Sequence, residues 1–141
     1  MTTIATDGKS MAGDGLACAD HAITTFDRVK VSRLPDGSLL GCAGDSAHII
    51  RFRKWLADGG SYPKVRNFAA LHLQTDGSLR YYGDDPEWSA MSLPAAIGSG
   101  AAFALGAMDA QASPSWAVAC ASLRCPYTGG TITDLKLEPS A

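Results

Sequence analysis

Three turn signals constrain this chain more than any other feature. Asp7-Gly8, Pro35-Asp36-Gly37 and Thr75-Asp76-Gly77 each stand between two short apolar runs. Aspartate followed by glycine accepts the backbone angles of a tight reversal, so each signal predicts an antiparallel hairpin. The first joins TTIAT (2–6) to SMAGD (10–14), the second VKVSRL (29–34) to SLLGC (38–42), and the third FAALHLQ (68–74) to SLRYY (78–82). A longer segment over 16–25 reads as a further strand pair, and 92–97 and 131–137 as single strands.

The period changes at GDSAHIIRFRKWLADGG (44–60). There Asp45 or Ser46 can cap a helix that puts Ile49, Phe52 and Leu56 on one face, and Gly59-Gly60 ends it. The run 101–111 is almost wholly small and apolar, which predicts a helix buried between layers. Ser113-Pro114 opens a third helix reaching about Cys125. Runs of antiparallel strands with segregated helices define an α+β layered fold, and 141 residues fit one domain, 1–141.

The net charge of −2, from 12 basic and 14 acidic residues, exerts no pull on nucleic acid or an anionic membrane. The N-terminus lacks a basic region followed by an apolar run, so no signal peptide is expected. The weakly polar stretch 97–108 is shorter than the about 20 residues a spanning helix needs. These readings predict a soluble cytoplasmic protein with small or peptidic partners. Cys18, Cys42 and Cys120 sit in apolar contexts that predict reduced core thiols. Cys18 and His21 share a C-x2-H spacing, but no second pair has a zinc-type spacing, so neither metal nor cofactor is expected.

Thr2 and Thr3 suit a strand start because they are β-branched. A threonine that becomes the first residue after removal of Met1 also carries a hydroxyl nucleophile and an amine base on one residue. In order, TTIA, AGDG (12–15), VKVSRL with Lys30, GCAGD (41–45) and IGSG (97–100) resemble the HslV peptidase and proteasome β-subunit family of N-terminal nucleophile hydrolases. The resemblance covers nearly the whole chain. It implies a four-layer αββα sandwich of two antiparallel sheets, no cofactor, and a threonine-type endopeptidase acting on peptides or unfolded proteins.

The resemblance implies a role for each matching residue. Thr2 is the nucleophile once Met1 is removed, Lys30 the cation that stabilises its alkoxide, and Asp14 the partner that orients Lys30. Gly44 matches the oxyanion donor. Ser99 and Thr128 match groups placed beside the terminal amine. Cys125 stands where many proteasome-type subunits have aspartate, as it does in HslV. Cys18, Arg28, Asp45 and Ile49 line the pocket for the side chain before the scissile bond, where Arg28 and Asp45 could pair, so no preferred residue is expected.

One departure concerns 57–68, where the family carries a second helix. Here the connector holds Gly59, Gly60 and Pro63 and too few apolar residues for a stable helix, which predicts a reduced helical layer. A homo-oligomer is expected and a ring is compatible with the resemblance, but the family's double ring does not carry over with that layer thinned. An ATP-dependent unfoldase is the implied partner. Two other readings stay open: a catalytically inactive structural subunit of the same fold, and an amidohydrolase acting on a small amide.

Overall fold

The computed structural model describes residues 2–85 and 88–138. Strands β1 (Thr3–Thr6) and β2 (Ser10–Gly13) form the first hairpin, with Ile4 opposite Gly13 and Thr6 opposite Met11. Asp7 closes its turn by accepting the Lys9 and Ser10 N–H groups. Strands β3 (Ala17–Ala19) and β4 (Ala22–Thr25) make a separate hairpin turned at Asp20 and His21. Next come β5 (Val31–Arg33), β6 (Leu39–Gly44), β7 (Phe68–Leu73), β8 (Leu79–Tyr82) and β9 (Ser89–Ala90), which pair in chain order as an antiparallel sheet. Strands β10 (Ala95–Gly98) and β11 (Thr133–Lys136) flank the first hairpin in a sheet ordered β10-β1-β2-β11. The described residues contain three helices: α1 (Ser46–Asp58), α2 (Ala101–Asp109) and α3 (Pro114–Ser122).

Strand alternation decides how these elements stack, because successive side chains leave opposite faces. Ile4, Met11, Val31, Leu39, Leu71, Leu73 and Ile97 meet between the two sheets. The opposite face of the first sheet presents Ala5 and Ala12 to Ala104, Met108, Ala117, Val118 and Ala121 of α2 and α3. These small residues let helix and sheet backbones approach closely. On the far side of the second sheet, Leu40, Phe68 and Tyr82 pack on Phe52 of α1, with Val65 from the connector. The molecule is thus mixed α and β, with antiparallel sheets in face-to-face contact and helices on their outer sides.

No helix forms over 59–67. An aromatic cluster fills that region instead: Tyr62 packs edge-on to Trp55 at 4.9 Å and Phe52 lies 4.8 Å from Phe68. The Tyr62 hydroxyl donates to the Gly83 carbonyl at 2.8 Å and pins the connector.

Several expectations need correction. Helix α2 is not buried between layers: Phe103 is 46% and Leu105 38% exposed, and only Ala104 and Met108 of this helix are buried. The strand expected at 92–97 starts at Ala95, after Pro94, which has no N–H to give a ladder. Strand β9 was not anticipated, and α3 ends at Ser122 rather than near Cys125. Cys18 and Cys120 are exposed thiols, whereas Cys42 and Cys125 are buried. On α1 the inward face centres on Phe52, with Ile49 and Leu56 half-buried at its edge.

Candidate active site

The site forms where the starts of β1 and β5, the end of β10 and the turn from β6 into α1 converge. Thr2, 5% exposed, precedes β1, and the pairing of Thr3 with Gly98 brings it beside the end of β10. Gly98 has φ +97°, and a Cβ there would collide with the Thr2 carbonyl oxygen. Only glycine lets the two backbones approach this closely.

Asp14 follows β2 directly and is fully buried. Its Oδ1 accepts the Thr3 N–H at 3.0 Å and the Lys30 ammonium at 2.9 Å. Its Oδ2 accepts the Gly129 N–H at 3.1 Å and the Leu16 N–H at 3.4 Å. Lys30 Nζ also donates to the Leu16 carbonyl at 2.6 Å. Burial pulls the Lys30 pKa below that of free lysine, while the hydrogen bond and charge of Asp14 oppose the shift and Arg28 adds to it. A buried carboxylate with this many donors is compatible with folding because its lone pairs are met and its charge is paired.

Two cavities open at this point, and Thr2 and Gly44 border both. The larger, about 370 Å³, is lined by Thr2, Ala43, Gly44, Asp45, Asn67, Phe68, Ala69, Gly98 and Ser99. The smaller, about 80 Å³, is walled by Cys18, Arg28, Lys30, Cys42, Ser46 and Ile49 among others. Gly44 sits at φ +119°, and a Cβ there would run into the Asn67 carbonyl oxygen, so the strand-to-helix turn at the border requires glycine.

Ser99 Oγ donates to the Thr2 carbonyl oxygen at 3.5 Å and accepts from the Cys125 thiol at 3.3 Å. Burial alone would push the Cys125 thiol up, but hydrogen bonds with Ser99 and Thr128 outweigh it and its pKa lies below the ordinary value. Thr128 meets Thr3 rather than Thr2, through a 2.7 Å contact between hydroxyls.

The structure therefore gathers Thr2, Lys30, Gly44 and Ser99 at one point, with Asp14 behind them and Thr128 one residue along. Cys18, Arg28 and Ile49 share the small cavity, but Asp45 belongs to the large one. The expected pairing of Arg28 with Asp45 does not occur. Asp45 is the N-cap of α1 and accepts the Ala47 N–H at 2.9 Å, while Arg28 Nη1 donates to Ser46 Oγ at 2.8 Å. Met1, whose removal the sequence resemblance implies, lies outside the described residues. The sequence reading did not assign a role to Gly98, Asn67 or the Gly129 N–H. Gly98 stands inside the quoted IGSG motif, but its closeness to Thr2 depends on a strand pairing that no local pattern encodes. Among the described residues no three His, Cys, Asp or Glu side chains gather as a metal site, and no helix is long and apolar enough to cross a membrane.

Solved structures similar to this one point to one class of fold. Thiobacillus denitrificans BPH matches with a TM-score of 0.74 and 18% identity over 99% of each chain. Its complex with epoxomicin matches at 0.73 and 17%, over 98% of this chain and 99% of that one. Eukaryotic HslV from Trypanosoma brucei matches at 0.69 and 13%, over 96% and 98% respectively. The chain shares the fold of Thiobacillus denitrificans BPH and of HslV along nearly its full length. No protein-family model and no curated protein sequence matches it.

Proposed function

We propose that this chain is a threonine-type endopeptidase whose nucleophile is the Thr2 hydroxyl, freed for catalysis by removal of Met1. The carrying observation is the buried Asp14 carboxylate, which holds both the Lys30 ammonium and the Thr3 N–H directly behind Thr2. That arrangement stands at the mouth of a cleft large enough for a peptide. The epoxomicin complex of a similar fold supports the same reading.

The α-amine of a terminal Thr2 would titrate ordinarily near about 7.7–8.0, so part of it is neutral at physiological pH. It takes the proton from Oγ1, directly or through water, as Oγ1 attacks the carbonyl carbon of the substrate. The Lys30 ammonium stabilises the developing alkoxide, and Asp14 keeps that cation charged against its burial. The oxyanion faces the Gly44 N–H at the end of β6. Collapse breaks the C–N bond, the leaving amine takes the proton from the α-ammonium, and an ester on Thr2 remains. Water hydrolyses the ester with the amine again as base. Ser99 relays protons beside the amine, and Cys125 and Thr128 hold their neighbours in register.

In this reading the domain, 1–141, is a four-layer αββα sandwich with one helical layer reduced, supported by three apolar clusters stacked helix, sheet, sheet, helix. It works as a homo-oligomer on peptides or unfolded proteins, and the exposed apolar side chains of α2 support that assembly. An ATP-dependent unfoldase as feeder follows from the sequence resemblance.

Mass spectrometry of the natively expressed chain, followed by peptide turnover, tests the proposal. The expected result is a mature Thr2 terminus and turnover that Thr2→Ala abolishes. A chain that retains Met1 and cleaves nothing is a structural subunit, and hydrolysis of small amides without peptide cleavage would make it an amidohydrolase.

A further inference from the structure

We infer that the small pocket beside Thr2 selects an acidic residue, glutamate above all, on the acyl side of the bond to be cut, and that Arg28 is the group that reads it. This inference rests on the peptidase reading above. The pocket opens where Thr2 and Gly44 meet, and its volume of about 80 Å³ suits a short side chain rather than a large aromatic one. Two cations line it, Lys30 and Arg28, both from the segment just before β5. Lys30 is committed to Asp14 and the Leu16 carbonyl.

Arg28 is held in place without being neutralised. Its backbone N–H donates to the Gly15 carbonyl at 2.9 Å, and its Nη1 donates to the uncharged Ser46 hydroxyl at 2.8 Å. Neither Asp27 nor Asp45 bonds it: Asp27 accepts the Thr131 hydroxyl, and Asp45 caps α1 from the larger cleft. No ion pair joins Arg28 to a carboxylate among the described residues. A guanidinium anchored by one nitrogen still offers a fork of donors that matches a carboxylate. Ile49 supplies an apolar wall for the methylenes leading to that carboxylate. A lysine or arginine side chain would instead meet two cations at close range.

Two peptides identical except for Glu or Gln at this position differ in charge and hardly in shape. On the mature full-length chain, coumarylamide substrates of this pair should differ about tenfold in kcat/KM in favour of Glu, carried by KM and shrinking with added salt. Arg28→Gln should bring the ratio to about one, whereas Lys9→Gln, on the far turn of the first hairpin, should preserve it. Equal kcat/KM for the pair, with turnover that Thr2→Ala abolishes, would overturn the selectivity and leave the peptidase reading standing. Calorimetric binding of the same two substrates to the Thr2→Ala chain tests selectivity apart from turnover. Tighter binding of the Glu peptide that Arg28→Gln removes would support the inference, and equal affinity would overturn it. Absence of any turnover in the mature chain would overturn only the peptidase reading.

Discussion

At the scale of single residues, the molecule holds a second buried polar cluster remote from Thr2. Ser38 Oγ has one proton and donates it to Asp36 Oδ1 at 2.5 Å, so it accepts from His72 Nε2 at 2.8 Å. That fixes the tautomer of a neutral ring with its proton on Nε2. Nδ1 is buried and meets no hydrogen-bond partner among the described residues. A second proton there would have no acceptor. Burial accordingly lowers the His72 pKa from 6.5; Asp36 opposes the shift and Arg80 adds to it. Because the folded pKa lies below the unfolded one, the unfolded chain binds more protons in the interval between them. The contribution of His72 to stability is therefore full above about pH 6.5 and is lost as pH falls toward its folded value. Melting temperatures measured from about pH 7.5 to 5 should fall with acidification, and His72→Leu should flatten that fall. An unchanged slope in the variant would rule out His72 as its cause.

At the scale of elements, α1 and the connector after it stand on Phe52, which is fully buried against Phe68, Tyr82, Trp55 and Tyr62. Phe52→Ala would open a cavity that four aromatic rings cannot all close, costing about 3–5 kcal/mol in denaturant unfolding. A cost below about 1 kcal/mol would mean that this layer is not a stabilising one. The hairpins at Asp7-Gly8, Asp36-Gly37 and Asp76-Gly77 were legible in sequence because turn chemistry is local, as was α1 with its Asp45 cap and Gly59 stop. What was not legible is tertiary. Apolar composition marked α2 as covered but could not say whether the cover is this chain or another. Arg28 bonds Ser46 rather than Asp45, which caps α1 from the larger cleft, a placement visible only once the loop before β5 is set against α1. The lysine and aspartate of the site were readable by type and order, whereas the Gly129 N–H joins them from the other end of the chain.

At the scale of the whole molecule, Phe103 and Leu105 on α2 and Trp116 on α3, the last 70% exposed, are large apolar side chains left uncovered on the two helices that pack on Ala5 and Ala12. Joined into one patch, such side chains would form a contact surface for another copy of the chain. Sedimentation of the native chain should reveal a homo-oligomer, and Phe103→Glu should shift it toward smaller species while circular dichroism stays unchanged. A monomer at micromolar concentration would overturn the assembly reading. The Asp14 carboxylate has a consequence in time as well as in space. Its four donors come from residues 3, 16, 30 and 129, so its shell is incomplete until the ribosome has passed residue 129. In the peptidase reading, a chain whose Asp14 shell is still open has Thr2 but not the setting proposed to activate it. On that reading hydrolytic capacity would arrive only with completion of the fold, and the nascent polypeptide and its neighbours would be spared a nucleophile armed too early.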